Sequence, residues 1–209
     1  MSNCLNFKDR EIKLYTANEA MRVVLDGFDT DTLKVIDVVS GYMIENCQDD
    51  DKWEEYIEEM DAAVPGDVKI IEKADISDRK LSKEADSRTF VKMLLRYMNK
   101  NKKKVFVVSD DHEDLLSVKD KLDGYGKGMT VKGMSLSELT GRSEDVILNE
   151  INAMDPDCIL SVMPSPKQEE FICTNRPYIN GRIWLGCGCF FTEETITKRK
   201  KLWNFFKRM

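Results

Sequence analysis

Residues 157–190 read DCILSVMPSPKQEEFICTNRPYINGRIWLGCGCF. Residues 158–163 are a short apolar run, the mark of a strand buried on both faces. Pro164, Ser165 and Pro166 stop it, because proline cannot donate to a strand ladder. Pro166 suits the first turn of a helix, where its missing N–H is no loss. Ser165 is placed to cap that helix, with Gln168 following as in a capping box. Lys167, Gln168, Glu169 and Glu170 fill the first turn. Residues 182–185 form a second apolar strand, ending in the glycine-spaced Gly186-Cys187-Gly188. Strand, loop, helix and strand make a βαβ unit. In an open α/β sheet, ligands bind beyond the carboxyl ends of the strands, and both loops lie at such ends. A helix N-terminus there favours an anionic group such as a pyrophosphate. A βαβ unit with ordinary connecting loops has the same spacing.

Outward from this unit the alternation continues. Residues 33–39 (LKVIDVV), 105–108 (VFVV) and 129–131 read as further strands. Residues 42–60, 89–98, 115–122 and 143–154 read as helices, the first carrying Trp53, Tyr56, Ile57 and Met60 at helical spacing. Residues 10–27 read as an amphipathic helix or a strand-to-helix entry closed by Gly27. Residues 62–67 read as a turn, and the polar residues 74–86 as a loop or flap. The fold class expected is α/β: a Rossmann-like, doubly wound, mainly parallel sheet flanked by helices, with right-handed crossovers. Residues 1–197 are read as one domain and residues 198–209 as a basic-aromatic tail.

The formal net charge is −6 and the pI about 5.1, which argues against nucleic acid as a partner. No apolar run is long enough to span a bilayer, and the N-terminus has no signal-peptide core. A cytoplasmic location follows. The six cysteines contain no CxxC pair and are read as reduced thiols. Asp49, Asp50 and Asp51 read as a solvated turn rather than a calcium loop. His112 sits among acids and reads as a solvated imidazole. The glycines of residues 124–128 lack the spacing of a phosphate loop.

Pro166-Lys167-Gln168-Glu169, then Phe171-Ile172, then an apolar strand ending in Gly186-x-Gly188 with Phe191, resemble the signature of the WecG/TagA/CpsF glycosyltransferase family. Asn149 to Asn152, before Pro156-Asp157, resembles its approach to the signature strand. The resemblance covers most of residues 15–205. It implies an inverting transferase moving N-acetylmannosamine, or a related sugar, from a UDP-sugar to an undecaprenyl-diphosphate-linked sugar. The products would be bacterial cell-surface polymers such as teichoic acid. It implies no cofactor and no metal. The family's apolar-Pro-Asp-Gly segment carries its proposed catalytic base. Here the order is Pro65-Gly66-Asp67, so the resemblance carries the role to Asp67; a simple turn is the other reading. The diphosphate cradle is expected at Ser165, Pro166, Lys167, Gln168 and Glu169, with Gly186 and Gly188. After residues 105–108 most relatives have a Gly-Gly loop, where this chain has Ser109-Asp110-Asp111-His112-Glu113-Asp114.

Lys200, Lys201, Trp203, Phe205 and Phe206 in the tail are a candidate contact with the inner face of the cell membrane. Docking of the same aromatics on the domain is the alternative. Self-association is left open. Two other readings stand beside the transferase. One is a nucleotide-sugar-binding relative that has lost turnover, motivated by the displaced aspartate and the absent Gly-Gly loop. The other is an unrelated α/β interaction protein.

Overall fold

A computed structural model describes residues 3–8, 10–47, 52–139 and 143–191. Four strands carry nearly unbroken apolar runs: β3 (Lys34–Val39), β5 (Lys104–Ser109), β7 (Cys158–Ser161) and β8 (Ile183–Gly186). Such runs need cover on both faces, and parallel pairing is how a sheet obtains it. With β4 (Ala62–Pro65) and β6 (Thr130–Ser135) they form a six-stranded parallel sheet in the order β4-β3-β8-β7-β5-β6. Alternate side chains feed two cores. Val35, Val39, Phe106, Val108, Ile159 and Trp184 belong to one. Ile36, Val38, Val105, Val107, Leu160 and Leu185 belong to the other.

The first core is covered by α2 (Gly41–Cys47), α3 (Trp53–Glu59), α4 (Val68–Lys73), α5 (Arg79–Asp86), α8 (Asp145–Met154) and α9 (Lys167–Asn175). The second is covered by α1 (Ala17–Thr30), α6 (Thr89–Lys100) and α7 (His112–Asp123). Steps along the sheet toward β4 cross the first face, through α2–α3, α8 and α9. The step from β5 to β6 crosses the second, through α7. One hand for every crossover requires this division. The fold is the Rossmann-like, doubly wound α/β sheet expected from the alternating runs.

Several elements differ from the sequence expectation. An antiparallel hairpin, β1 (Cys4–Phe7) with β2 (Arg10–Lys13), precedes α1 and reaches the edge of β4 through the Leu14–Ala63 bridge. Gly27 does not close α1. It lies inside the helix, where a Cβ would stand 2.9 Å from Ile183 Cδ1 and 3.1 Å from the Arg182 carbonyl. Close packing on the sheet explains that glycine. The helix expected over residues 42–60 is two helices, α2 and α3. The expected turn at 62–67 contains edge strand β4, too short to show a period. The expected loop at 74–86 contains α5, which Asp78 caps by accepting from the Lys80 and Leu81 amides. Its two buried residues, Leu81 and Ala85, are one turn apart among charged neighbours, so little periodicity shows.

Candidate functional site

The carboxyl ends of β3, β8 and β7 carry a buried polar row. Strand register pairs Gly186 with Asp37 on one side and with Ser161 on the other. Asp37 and Ser161 are completely buried. Asp37 lies between Val35 and Val39 in the alternation, so its side chain faces α9. Gln168, one residue into α9, comes down onto Gly186. Its Nε2 donates to Asp37 Oδ1 at 3.2 Å and to Glu169 Oε1 at 3.4 Å. Its Oε1 accepts from the Gly188 amide at 2.8 Å. Ser165 Oγ donates to Glu169 Oε1 at 2.8 Å. A Cβ on Gly186 would stand 2.6 Å from Gln168 Nε2 and closer still to Asp37 Oδ1, so only glycine leaves room for the pair.

Burial pushes the Asp37 carboxyl well above the ordinary aspartate range, and the neighbouring Glu169 charge pushes it further. Tyr56, buried on α3, faces the same carboxyl. Its own pKa is raised, first by burial and then by Asp37. Asp37 Oδ2 and the Tyr56 hydroxyl nevertheless close no hydrogen bond at full geometry.

The residues expected at the cradle are brought together, but not in the manner expected. Ser165 does not cap α9. Pro166 holds the N-cap position and no side chain caps the helix. The Ser165–Pro166 peptide bond is cis. The Ser165 hydroxyl is spent on Glu169, so no capping box with Gln168 forms; Gln168 and Glu169 turn inward, both almost wholly buried. Lys167 turns outward and forms an ion pair with Asp110. That pair spans the crevice between β7 and β5. The chain leaves these neighbouring strands over opposite faces, which makes their carboxyl ends the topological switch point. Beyond it, Asp111 caps α7 by accepting from the Asp114 amide at 2.8 Å. Burial and the Asp111 charge raise the Asp114 pKa. The His112 imidazole is not simply solvated: its Nδ1 lies 2.6 Å from Glu138 Oε1.

Asp67 stands at the carboxyl end of β4 as the N-cap of α4. Its Oδ1 accepts from the Ile70 amide and its Oδ2 from the Gly41 amide, each at 3.0 Å. It therefore ties the start of α2 to the start of α4. The tail residues Lys200, Lys201, Trp203, Phe205 and Phe206, and Asp49 to Asp51, lie outside the described residues. No helix among the described residues is long and apolar enough to cross a membrane.

Three features escaped sequence reasoning. Asp37 was visible as the single acid inside the apolar run 33–39, a signal for a buried polar site. A cleft of about 230 Å³ between α3 and α9, lined by Lys52, Glu55, Glu170, Cys173 and Thr174 above Tyr56 and Glu169, carries no motif. A wider groove of about 420 Å³ along α5 is lined by Arg79, Lys80, Lys83 and Thr89.

The sheet order and the loops gathered at its carboxyl ends define a Rossmann-like α/β protein with its polar site on the usual ligand side. The family model described as Glycosyl transferase WecG/TagA/CpsF matches residues 5–200, and the chain belongs to that family. No curated protein matches the chain.

Proposed function

We propose that the protein is an inverting sugar transferase using a UDP-sugar donor, N-acetylmannosamine or a related sugar, and an undecaprenyl-diphosphate-linked sugar acceptor. Family membership supports glycosyl transfer in cell-surface polymer synthesis. The observation that carries the reading is the hydrogen bond from the Gly188 amide to Gln168, which links the Gly186–Gly188 loop to the Pro-Lys-Gln-Glu segment at the ligand side. In this reading the acceptor hydroxyl oxygen attacks the anomeric carbon. The bond from that carbon to the diphosphate breaks, and UDP leaves with its electron pair. The hydroxyl proton goes to a general base. Asp67 is the proposed base. Each of its oxygens accepts one backbone N–H, and a carboxylate oxygen retains capacity for another bond. The proposed cradle for the departing diphosphate is Ser165, Pro166, Lys167, Gln168 and Glu169 with Gly186 and Gly188. Within it, peptide N–H groups and the Lys167 ammonium would offset developing charge, while buried Gln168 and Glu169 hold the loops. No metal or cofactor is invoked. The tail is the proposed contact with the inner face of the membrane.

A second reading is a nucleotide-sugar-binding relative without turnover. It is favoured by the Lys167–Asp110 pair across the switch point and by the carboxylates at the start of α7. UDP release from UDP-N-acetylmannosamine decides between them, measured with and without a lipid-diphosphate-N-acetylglucosamine analogue, for wild type and Asp67→Asn. Acceptor-dependent release that vanishes in the variant supports transferase and base together. Unchanged release in the variant keeps the transferase and removes Asp67 as base. UDP binding without release on any acceptor or related donor favours the second reading.

A further inference from the structure

Asp37 sits where the sheet would be better served by valine. Aspartate is disfavoured in strands, and a fully buried carboxyl carries a desolvation cost. Among the described residues the groups acting most on Asp37 include no cation: they are Glu169, Tyr56, Gln168 and its own strand's backbone. Among the partners that favour the carboxyl, Gln168 is the one that reaches it from another strand-helix unit with a full hydrogen bond, Nε2 to Oδ1 at 3.2 Å. That bond has a geometric consequence. A carboxamide is planar, so fixing its nitrogen end fixes its oxygen end, and the Gln168 oxygen is the acceptor for the Gly188 amide. Gly188 has a left-handed backbone, φ +48°, just beyond β8. The Gln168 nitrogen also meets Glu169, which Ser165 holds in turn. Asp37 on β3 is thus the fixed end of a chain of bonds. It runs through α9 to the loop after β8 on one side and to the loop before α9 on the other. The missing side chain of Gly186 opens the space through which the chain passes.

We propose that Asp37 is a positioning residue: by orienting the Gln168 carboxamide it locks the Gly186–Gly188 loop against the 164–166 loop and the start of α9, and this fixed separation sets the affinity for the diphosphate of the nucleotide. The ligand half of the proposal rests on the transferase reading, which makes these loops the diphosphate cradle. The loop-locking half does not.

Amide hydrogen exchange over residues 183–191, read without nucleotide, tests the lock. UDP titration tests its use. The variants are Asp37→Ala, which removes the acceptor, and Asp37→Asn, whose side-chain oxygen can still accept from Gln168. In Asp37→Ala, exchange at Gly188 should rise at least tenfold while exchange in β5 is unchanged, and the UDP Kd should rise about tenfold. Asp37→Asn should restore both to within about twofold of wild type. Unchanged Gly188 exchange in Asp37→Ala overturns the proposal. So does faster exchange everywhere, or faster Gly188 exchange with an unaltered UDP Kd. If Asp37→Ala does not fold, Asp37→Val, which suits a strand and lacks an acceptor, carries the same expectations. Wild type that binds no UDP sinks the cradle reading and the ligand half with it; Gly188 exchange then decides the lock alone.

Discussion

Helices α9 and α7 start at equivalent places and end up as opposites. Each follows a buried parallel strand, β7 or its neighbour β5, and each begins at the carboxyl edge of the sheet. At α9 two of the first-turn polar groups turn inward: Gln168 and Glu169 are buried and bonded to β3, to the loop after β8 and to Ser165. At α7 they stay outside. Asp111 caps the helix, His112 meets Glu138, and Asp110 reaches across to Lys167. A helix start on the ligand side therefore does not define an anion site. The backbone offers the same N–H groups in both places. The side chains make the difference: at α7 the Asp111 carboxylate already answers the Asp114 amide, whereas at α9 no side chain caps the helix.

The inward-turned start is the one that packing can break. Gly186→Val places methyl groups where Asp37 and Gln168 meet, in a row where every neighbour is buried. Overpacking of this kind costs about 1–3 kcal/mol, and leaving Gln168 or Asp37 without its partner adds about 1–3 more. Urea unfolding should show a loss of about 3 kcal/mol or more. Gly124→Ala, in the turn after α7, should cost far less. The nearest atom its new methyl would meet is a carbonyl 3.2 Å away, and the backbone there is right-handed. Equal losses at the two glycines would erase the distinction between a packed start and an open one.

How much of this was legible follows from what each residue's neighbours are. The βαβ unit of residues 157–190 was readable because continuous apolar runs and proline-glycine punctuation are local signals. The two loops at its ligand side were readable for the same reason. The Asp37–Gln168 bond joins residues 131 positions apart, and nothing within either neighbourhood announces the other. Ser165 illustrates the converse error. Its spacing to Gln168 suits a capping box, yet the hydroxyl donates to Glu169 because Glu169 turns into the interior beside it. Edge strand β4 and helix α5 were missed because one is four residues long and the other buries only two side chains.

The buried start should also titrate differently from the open one. The Asp37 carboxyl keeps its proton to a higher pH in the folded chain than in the unfolded one. Above the ordinary aspartate value, near pH 4, and up to that raised value, folding takes up a proton. The contribution of Asp37 to stability therefore falls as pH rises through this window, by at most about 1.4 kcal/mol per pH unit. Asp37→Asn lacks that titration. Its stability relative to wild type should improve in urea unfolding as pH rises from the ordinary aspartate value toward the raised Asp37 value. A difference that is flat with pH would mean that Asp37 ionises alike in both states.

The smallest effect on stability, and the sharpest on the contrast between the two helix starts, is expected at Asp110→Asn. The Lys167–Asp110 pair is partly exposed on both sides, 47% and 38%, and pairs of that kind are worth about 0–1 kcal/mol. Unfolding should therefore shift by no more than about 0.5 kcal/mol. Binding of UDP should respond more, because the substitution does two things at the switch point. It removes a negative charge from the mouth of the crevice, and it releases the Lys167 ammonium from its carboxylate. Both changes favour a diphosphate, and with charges partly screened by water a gain of about three- to tenfold in UDP affinity is expected by calorimetry at low salt, shrinking as salt is raised. Lys167→Met in the Asp110→Asn background should cancel much of the gain. If UDP affinity is indifferent to both substitutions, the diphosphate does not approach the β7–β5 crevice, and the ligand-side polarity of the molecule belongs wholly to the α9 side around Gly186 and Gly188.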